Sequence, residues 1–372
     1  METNSSEKDL KAKQYAQTKR IISFTSTGIM FAVLLTLIFT GLSQAISEAA
    51  YSVTNNSYFA LLLFAGIIGL GESIITFPLS FYSGYVLEHK YGLSNQTIGA
   101  YFIENIKGMS VGLVLGVPLL LGFYFVLLYT GEWWWLVLAV MMFLISVVLG
   151  RLAPVLIFPL FYKFSPVEEG TLKERILALC KKAGVNVEGI FTFNMSKNTK
   201  KANAAFTGMG KSKRIILGDT LVDNFTQDEI EYVFAHELGH YAKKHIGKLI
   251  LTSTLSTFIG LFLTAKLYEA TLGWFGYTNV YDLAALPLLV LYLSIYGFIT
   301  TPINSILSRK YEYEADGYAL KTTGNREALV STMEKLSEQN LSERSPNKII
   351  EFLFHSHPSV EKRIEFARSY EL

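Results

Sequence analysis

Cysteine is nearly absent. The chain has 372 residues and one cysteine, Cys180, so it can form no internal disulfide framework and no multi-cysteine metal site. Cys180 ends the run Leu177-Ala-Leu-Cys180 among apolar neighbours, which predicts a buried small hydrophobe. Charge is scarce too. Only 17% of residues are charged against 51% hydrophobic, and the net charge is +2. That balance excludes a strongly basic nucleic-acid binder. Mean hydropathy is +0.32, and the excess collects in long runs. The composition therefore excludes a plain soluble domain, a disordered chain and a fibrous repeat. No internal repeat or low-complexity linker is present.

A helix needs about 20 apolar residues to cross the hydrocarbon core. Six runs qualify, roughly 21–47, 57–87, 107–130, 133–162, 246–270 and 282–308. The first follows a polar, charged stretch, is too long for a signal-peptide core and lacks a clear small-residue cleavage site; it reads as a retained anchor. Trp133, Trp134 and Trp135 open the fourth run and suit a bilayer interface better than a cofactor box. Glu72 lies mid-run in the second, where an ionisable group either serves function or faces a wet cavity.

Lys and Arg set the orientation. The N-terminal tail holds Lys8, Lys11, Lys13, Lys19 and Arg20, and the loop after the second run holds Lys90 and Lys107. The alternate loops, near 48–56, 131–132 and 271–281, hold none. Six spans with both termini inside fit this pattern. The expected organisation is a tail and four helices over 1–162, a cytoplasmic segment over 163–245, a transmembrane hairpin over 246–308 and a second cytoplasmic segment over 309–372. Within the polar parts, 171–183 has helical spacing with Gly184 as a stop. Ile190–Phe193, Arg214–Leu217 and Asn203–Phe206 read as short strands, with a turn over Gly208–Ser212 between them. The C-terminal stretches 325–339 and 347–370 read as helical. Ala205 through Ser212 comes close to a phosphate-binding loop. That loop must open a helix, whereas Arg214-Ile-Ile-Leu217 favours a strand. Nucleotide binding is therefore rejected.

The segment His236-Glu237-Leu238-Gly239-His240 carries the chemistry. Thr226 with Glu229 three residues on forms a capping box that starts its helix. His236 and His240, at i and i+4, share one face and can present two imidazoles to one Zn²⁺. Glu237, about 100° round, can take the proton of the attacking water as general base. With 6 His in the chain, chance would give the pattern roughly 0.006 times. A catalytic zinc wants a third protein ligand and one open position. Glu312-Tyr-Glu314-Ala-Asp316 follows the sixth run, and the hairpin of runs five and six brings it back to the His pair. Glu312 is the expected third ligand. Asp316, on the same face, is the expected acceptor for the far nitrogen of a ligand histidine; Glu314 projects elsewhere. A histidine outside the metal, His355 or His357, could hydrogen-bond an oxyanion, and Arg363 could add positive charge. Spacing does not choose between the two histidines. His245 and His89 sit near span ends and read as interfacial.

The sequence resembles the CAAX prenyl protease family of integral-membrane zinc metallopeptidases. The matching strings are Phe77–Tyr82 with Glu88–Leu93, Ala153-Pro154 through Pro159–Phe164, Asn203–Phe206, Lys213–Leu221, His236–His240, Glu312–Asp316, and Ser356–Pro358 with Glu361–Arg363. They cover roughly 57–370. The resemblance implies an α-helical integral membrane protein with a small α+β gluzincin-type metalloprotease domain at the cytoplasmic face. It implies one catalytic Zn²⁺ on His236, His240 and Glu312, with Glu237 as general base. It puts His357 and Arg363 at the oxyanion, and Asn203 and Ala204 on an edge strand that pairs with an extended substrate. It also implies a large intramembrane chamber. Eukaryotic members have seven spans; the six counted here would lack one at the N-terminal end. The approach to the edge strand reads Ser196-Lys-Asn-Thr-Lys-Lys-Ala202 here, a departure from the family's Ser/His-rich segment that bears on substrate entry. The expected partners are a peptide or protein substrate, prenylated or not, and the bilayer, with no nucleic acid and no nucleotide. The alternatives are a membrane-protein quality-control protease without a prenyl requirement and a non-peptidase, zinc-dependent scaffold.

Overall fold

The computed structural model describes residues 2–207 and 214–372. It opens with one continuous helix, α1 (Glu2–Phe39), followed by the short α2 (Leu42–Val53) and then α3 (Ser57–Phe81). A π-helical turn leads into α4 (Leu87–Lys90), and α5 (Ile98–Tyr129), α6 (Trp134–Leu152) and α7 (Phe158–Phe161) complete the first bundle. Among the described residues, six helices are long and apolar enough to cross a membrane: 7–39, 57–90, 98–129, 131–161, 245–275 and 283–323. The count matches the sequence. The first boundary does not: at Gly41 the backbone turns left-handed (φ 75°) and separates α1 from α2. With 12 residues α2 spans about 18 Å, short of a 30 Å core.

The charged N-terminal stretch is helical rather than a loose tail. Glu88, after the π turn, receives Tyr15 Oη (2.6 Å), Lys19 Nζ (2.7 Å) and Lys201 Nζ (2.9 Å). Lys8 pairs with Glu338 and Arg20 with Glu343. These contacts tie the start of α1 to the C-terminal third of the chain.

The polar segments form a separate core. Its sheet contains β1 (Phe164–Pro166), β2 (Gly189–Phe193), β3 (Ala204–Thr207) and β4 (Arg214–Gly218) in the order β1-β2-β4-β3, with β2 and β4 parallel and the outer pairs antiparallel. Between β1 and β2 runs α8 (Thr171–Lys182), stopped by Gly184 at φ 65°. The strands expected at 190–193, 203–206 and 214–217 are present. Strand β1 is additional; three residues with a proline give no alternation to read. The expected turn at Gly208–Ser212 lies outside the described residues. Cys180 is buried beside Ile176 and Leu179, as its apolar setting predicts.

After the sheet come α9 (Asp219–Asn224), α10 (Gln227–Ala242), α11 (His245–Thr271) and α12 (Leu286–Thr323), then α13 (Arg326–Asn340), α14 (Lys348–Phe354) and α15 (Val360–Ser369). The last predicted helix is thus broken at His355–Ser359. Helices α11 and α12 pack closely, with the Tyr296 ring filling the space beside Gly260. Trp134 is fully buried and donates Nε1–H to Glu269 Oε1 (3.0 Å), joining α6 to α11, while Trp133 is exposed. Of the tryptophan trio, Trp134 therefore also anchors one helix to another. Glu72 is exposed and has no ion pair among the described residues.

Candidate active site

The helix that carries the histidine pair starts where the sequence says. Thr226 Oγ1 accepts from Glu229 N (3.4 Å) and Glu229 Oε2 accepts from Thr226 N (2.8 Å), closing the capping box. Ile230, Phe234, Ala235 and Leu238 of α10 are buried in the core. That burial fixes the helix rotation and aims His236 and His240 at α12. The two helices cross at backbone contact. A Cβ on Gly239 would stand 3.0 Å from both Cα and O of Ala315. The glycine of the motif therefore admits α12, and with it Glu312 and Asp316.

His236 Nε2 and His240 Nε2 lie 3.2 Å apart. Glu312 stands over both, with Oε2 3.4 Å from His236 Nε2 and Oε1 3.3 Å from His240 Nε2. Ligand atoms of these three residues all lie within 4.8 Å of one another. Glu312 Oε2 is buried and accepts no hydrogen bond, although His357 Nδ1 is 3.0 Å away and Arg363 Nη1 3.7 Å away. On the far side, His236 Nδ1 meets Asp316 Oδ1 at 2.8 Å. A carboxylate only accepts, so Nδ1 carries the proton and Nε2 presents a lone pair. Burial opposes a positive charge on His236, but Asp316 and then Glu312 outweigh it and raise the imidazole to about 9 without a metal, so a cation at Nε2 competes with a proton for that lone pair. Two nitrogens and a carboxylate that converge on one point, with a buried oxygen lacking a donor, fit a divalent cation. Borderline-soft N and O donors suit zinc geometry.

Asp316 is fully buried and meets two further groups. Tyr232 Oη donates to Oδ1 (2.6 Å), and Arg363 from α15 binds both oxygens through Nη2 (2.6 Å) and Nε (2.8 Å). Burial raises the Tyr232 phenol well above its ordinary value, and the Asp316 charge raises it further. Tyr232 sits one turn before His236 on α10, a spacing that could have singled it out. His357 is largely exposed on the loop between α14 and α15, whereas the backbone oxygen of His355 accepts from Arg309. The geometry thus brings His357, not His355, to Glu312. Glu237 is half-buried and has no hydrogen bond or ion pair among the described residues. Strand β3 is the outer strand, so one of its edges has no strand partner among the described residues. Ala204 lies in it and Asn203 just before, with Asn203 O accepting from Gly218 N at 2.9 Å.

Residues 166–371 match the family described as Peptidase family M48, and residues 2–163 match the family described as CAAX prenyl protease N-terminal, five membrane helices. The chain belongs to peptidase family M48. It is 30% identical to the uncharacterized metalloprotease YhfN of Bacillus subtilis, over 97% of this chain and 85% of the relative. It is 31% identical to CAAX prenyl protease 1 of Saccharomyces cerevisiae, over 82% of this chain and 71% of the relative. The crystal structure of S. mikatae Ste24p superposes with a TM-score of 0.88 at 29% identity, covering 98% of this chain and 89% of that one. The protein is a multi-pass membrane metalloprotease that resembles the CAAX prenyl proteases. Where the N-terminal family description counts five membrane helices, this M48 peptidase has four long ones and the short α2.

Of the two histidines read as interfacial, His89 is exposed at the end of the 57–90 span, and it is His245 that departs from that reading. His89 bridges the carbonyls of Tyr85 and Gln96, both at 2.8 Å, and closes the turn after α4. His245 is buried against the His236–His240–Glu312 group: its Nδ1 lies 3.1 Å from His240 Nδ1 and its Nε2 3.0 Å from Glu314 Oε2. Glu314, set aside in the sequence, therefore also faces this side of the site. Span-end position alone made His245 look interfacial, because its partner Glu314 lies 69 residues away.

Proposed function

We propose that this M48 peptidase is a zinc endopeptidase, with His236, His240 and Glu312 as the metal ligands. The observation that carries the reading is the convergence of their donor atoms within 4.8 Å. Bound Zn²⁺ supplies Lewis acidity, which acidifies water and polarises a peptide carbonyl. Glu237, adjacent to His236 and without a side-chain partner among the described residues, accepts the proton of the attacking water and passes it to the leaving amine. His357 and Arg363 face the negative charge that develops on the carbonyl oxygen; their approach to Glu312 at 3.0 and 3.7 Å supports this role. Asp316 holds His236 in the Nδ1–H tautomer. The unpaired edge of β3, with Asn203 and Ala204, holds an extended substrate by backbone hydrogen bonds.

The substrate class we infer is the prenylated C-terminal tail. It is supported by similarity to proteins named CAAX prenyl protease 1 along most of their length. A protease that acts on unmodified membrane proteins is the second reading, favoured by the Lys-rich Ser196–Ala202 approach to β3. The active site and both termini are assigned to the cytoplasmic side. Detergent-purified protein should cleave a farnesylated CAAX peptide, and cleavage should vanish in Glu237→Gln and with a zinc chelator. Cleavage of unmodified protein but not of the prenyl peptide would replace the substrate class. Zinc binding without any cleavage would overturn the peptidase mechanism.

A further inference from the structure

The second ligand histidine lacks a carboxylate of its own. His236 has Asp316 at its far nitrogen, whereas among the described residues the far nitrogen of His240 meets another imidazole, His245 Nδ1 at 3.1 Å. His245 is almost entirely inaccessible, with 1% side-chain exposure, and its ring stacks on Tyr311 at 4.3 Å with 12° between planes. Its other nitrogen, Nε2, meets Glu314 Oε2 at 3.0 Å. The chain reaches this placement through Lys244, one of two non-glycine residues with positive φ among the described residues (φ 58°). That left-handed turn ends α10 and starts α11 with His245 beneath His240.

The proton positions follow from donor and acceptor chemistry alone. Glu314 only accepts, so His245 Nε2 carries hydrogen. In the neutral ring His245 Nδ1 is then a lone pair, and a hydrogen bond to His240 requires His240 to donate from Nδ1. His240 Nε2 is left as a lone pair, facing Glu312 and His236 Nε2. We propose that Glu314 and His245 form a relay that sets the tautomer of His240, so that His240 is held as a metal ligand through an intervening histidine as His236 is held directly by Asp316. His245 and Glu314 are positioning residues: neither faces the reacting atoms. The inference rests on the metal centre proposed above.

The test compares metal affinity, not turnover. Full-length protein in detergent is stripped of metal, and Zn²⁺ affinity is measured by competition with a chromophoric chelator. His245→Leu fills the space without an acceptor, whereas His245→Asn puts a side-chain oxygen near the position of Nδ1. Glu314→Leu removes the far end of the relay. Outer partners of metal-bound histidines typically contribute 10–100-fold in affinity. The expected result is a loss of about that size in His245→Leu and Glu314→Leu, recovered to within about threefold of wild type in His245→Asn. The unfolding temperature of each metal-free variant is recorded alongside. Wild-type affinity in His245→Leu would overturn the relay. So would equal losses in His245→Leu and His245→Asn with unfolding temperatures unchanged. If the metal-free leucine variant does not fold, the asparagine variant decides: affinity near wild type supports the relay, and a loss as large as that of Glu314→Leu overturns it. Failure of the wild-type protein to bind zinc would sink the metal centre itself, an outcome distinct from the others.

Discussion

Asp316 gathers three donor residues from two elements, α10 and α15. Its two oxygens take Tyr232 Oη, His236 Nδ1 and the Arg363 guanidinium, all within 2.6–2.8 Å, and its side chain has no solvent exposure. Removing one partner of a buried ion pair costs about 3–5 kcal/mol, because the other charge is left uncompensated. Asp316→Asn keeps the shape and loses the charge. It should lower the unfolding temperature and weaken zinc binding about 10-fold or more by loosening the His236 tautomer. Calorimetry and chelator competition check the two effects separately; a normal melting temperature would mean that Arg363 has found another anion. Cys180 gives a second prediction at this scale. Burial pushes its thiol up to about 11. At pH 8 only about one molecule in a thousand is then thiolate, the form that reacts. The folded protein should resist iodoacetamide at pH 8 and react once unfolded. The thiolate fraction should rise about tenfold per pH unit until the thiol titrates. Mass spectrometry of the intact chain reads the outcome.

Among the elements, the crossing of α10 and α12 decides whether a site exists. Gly239 lies between His236 and His240, and its missing Cβ leaves room for the Ala315 backbone. Gly239→Ala would gain roughly 1 kcal/mol of helix propensity. It would also press a methyl group against backbone that cannot rotate away, and overpacking of this kind costs about 1–3 kcal/mol. The expected outcome is a net loss of stability and a wider His236–Glu312 separation. Both would be seen as a lower melting temperature and weaker zinc binding; unchanged zinc binding would show that α12 shifts freely. The same crossing explains what the sequence could convey. The i, i+4 histidines, the capping box and the approach of Glu312 to the histidine pair were legible, because each depends on spacing along one helix or on a hairpin that must return. The partnership of His245 with Glu314 and Tyr311 was not. It depends on the rotation of α11 against α12, which is fixed by packing such as Tyr296 beside Gly260. Strand β1 was missed for the converse reason: it has too few residues to show a period.

For the whole molecule, the open question is which side of the bilayer the site faces. The charged start of α1 bonds Glu338 and Glu343, in and just beyond α13. The N-terminus and the peptidase core therefore share one face, whichever face that is. Lys and Arg are absent from the turns near 48–56, 131–132 and 271–281. The positive-inside rule then puts those turns outside and the peptidase core inside. Three variants, each adding one cysteine to the native Cys180, test this. Asn55→Cys and Trp274→Cys place thiols in the turns, and Glu168→Cys places one between β1 and α8; all three native side chains are exposed. The native thiol does not interfere, because Cys180 is buried with its pKa raised. A membrane-impermeant maleimide should label the first two in intact cells and the third only after permeabilisation. The reverse pattern would place the site outside and remove cytoplasmic tails from its substrates. Labelling at Asn55 but not at Trp274 would break the six-span topology, since the four long helices before α10 and the α11–α12 hairpin would no longer return to one face.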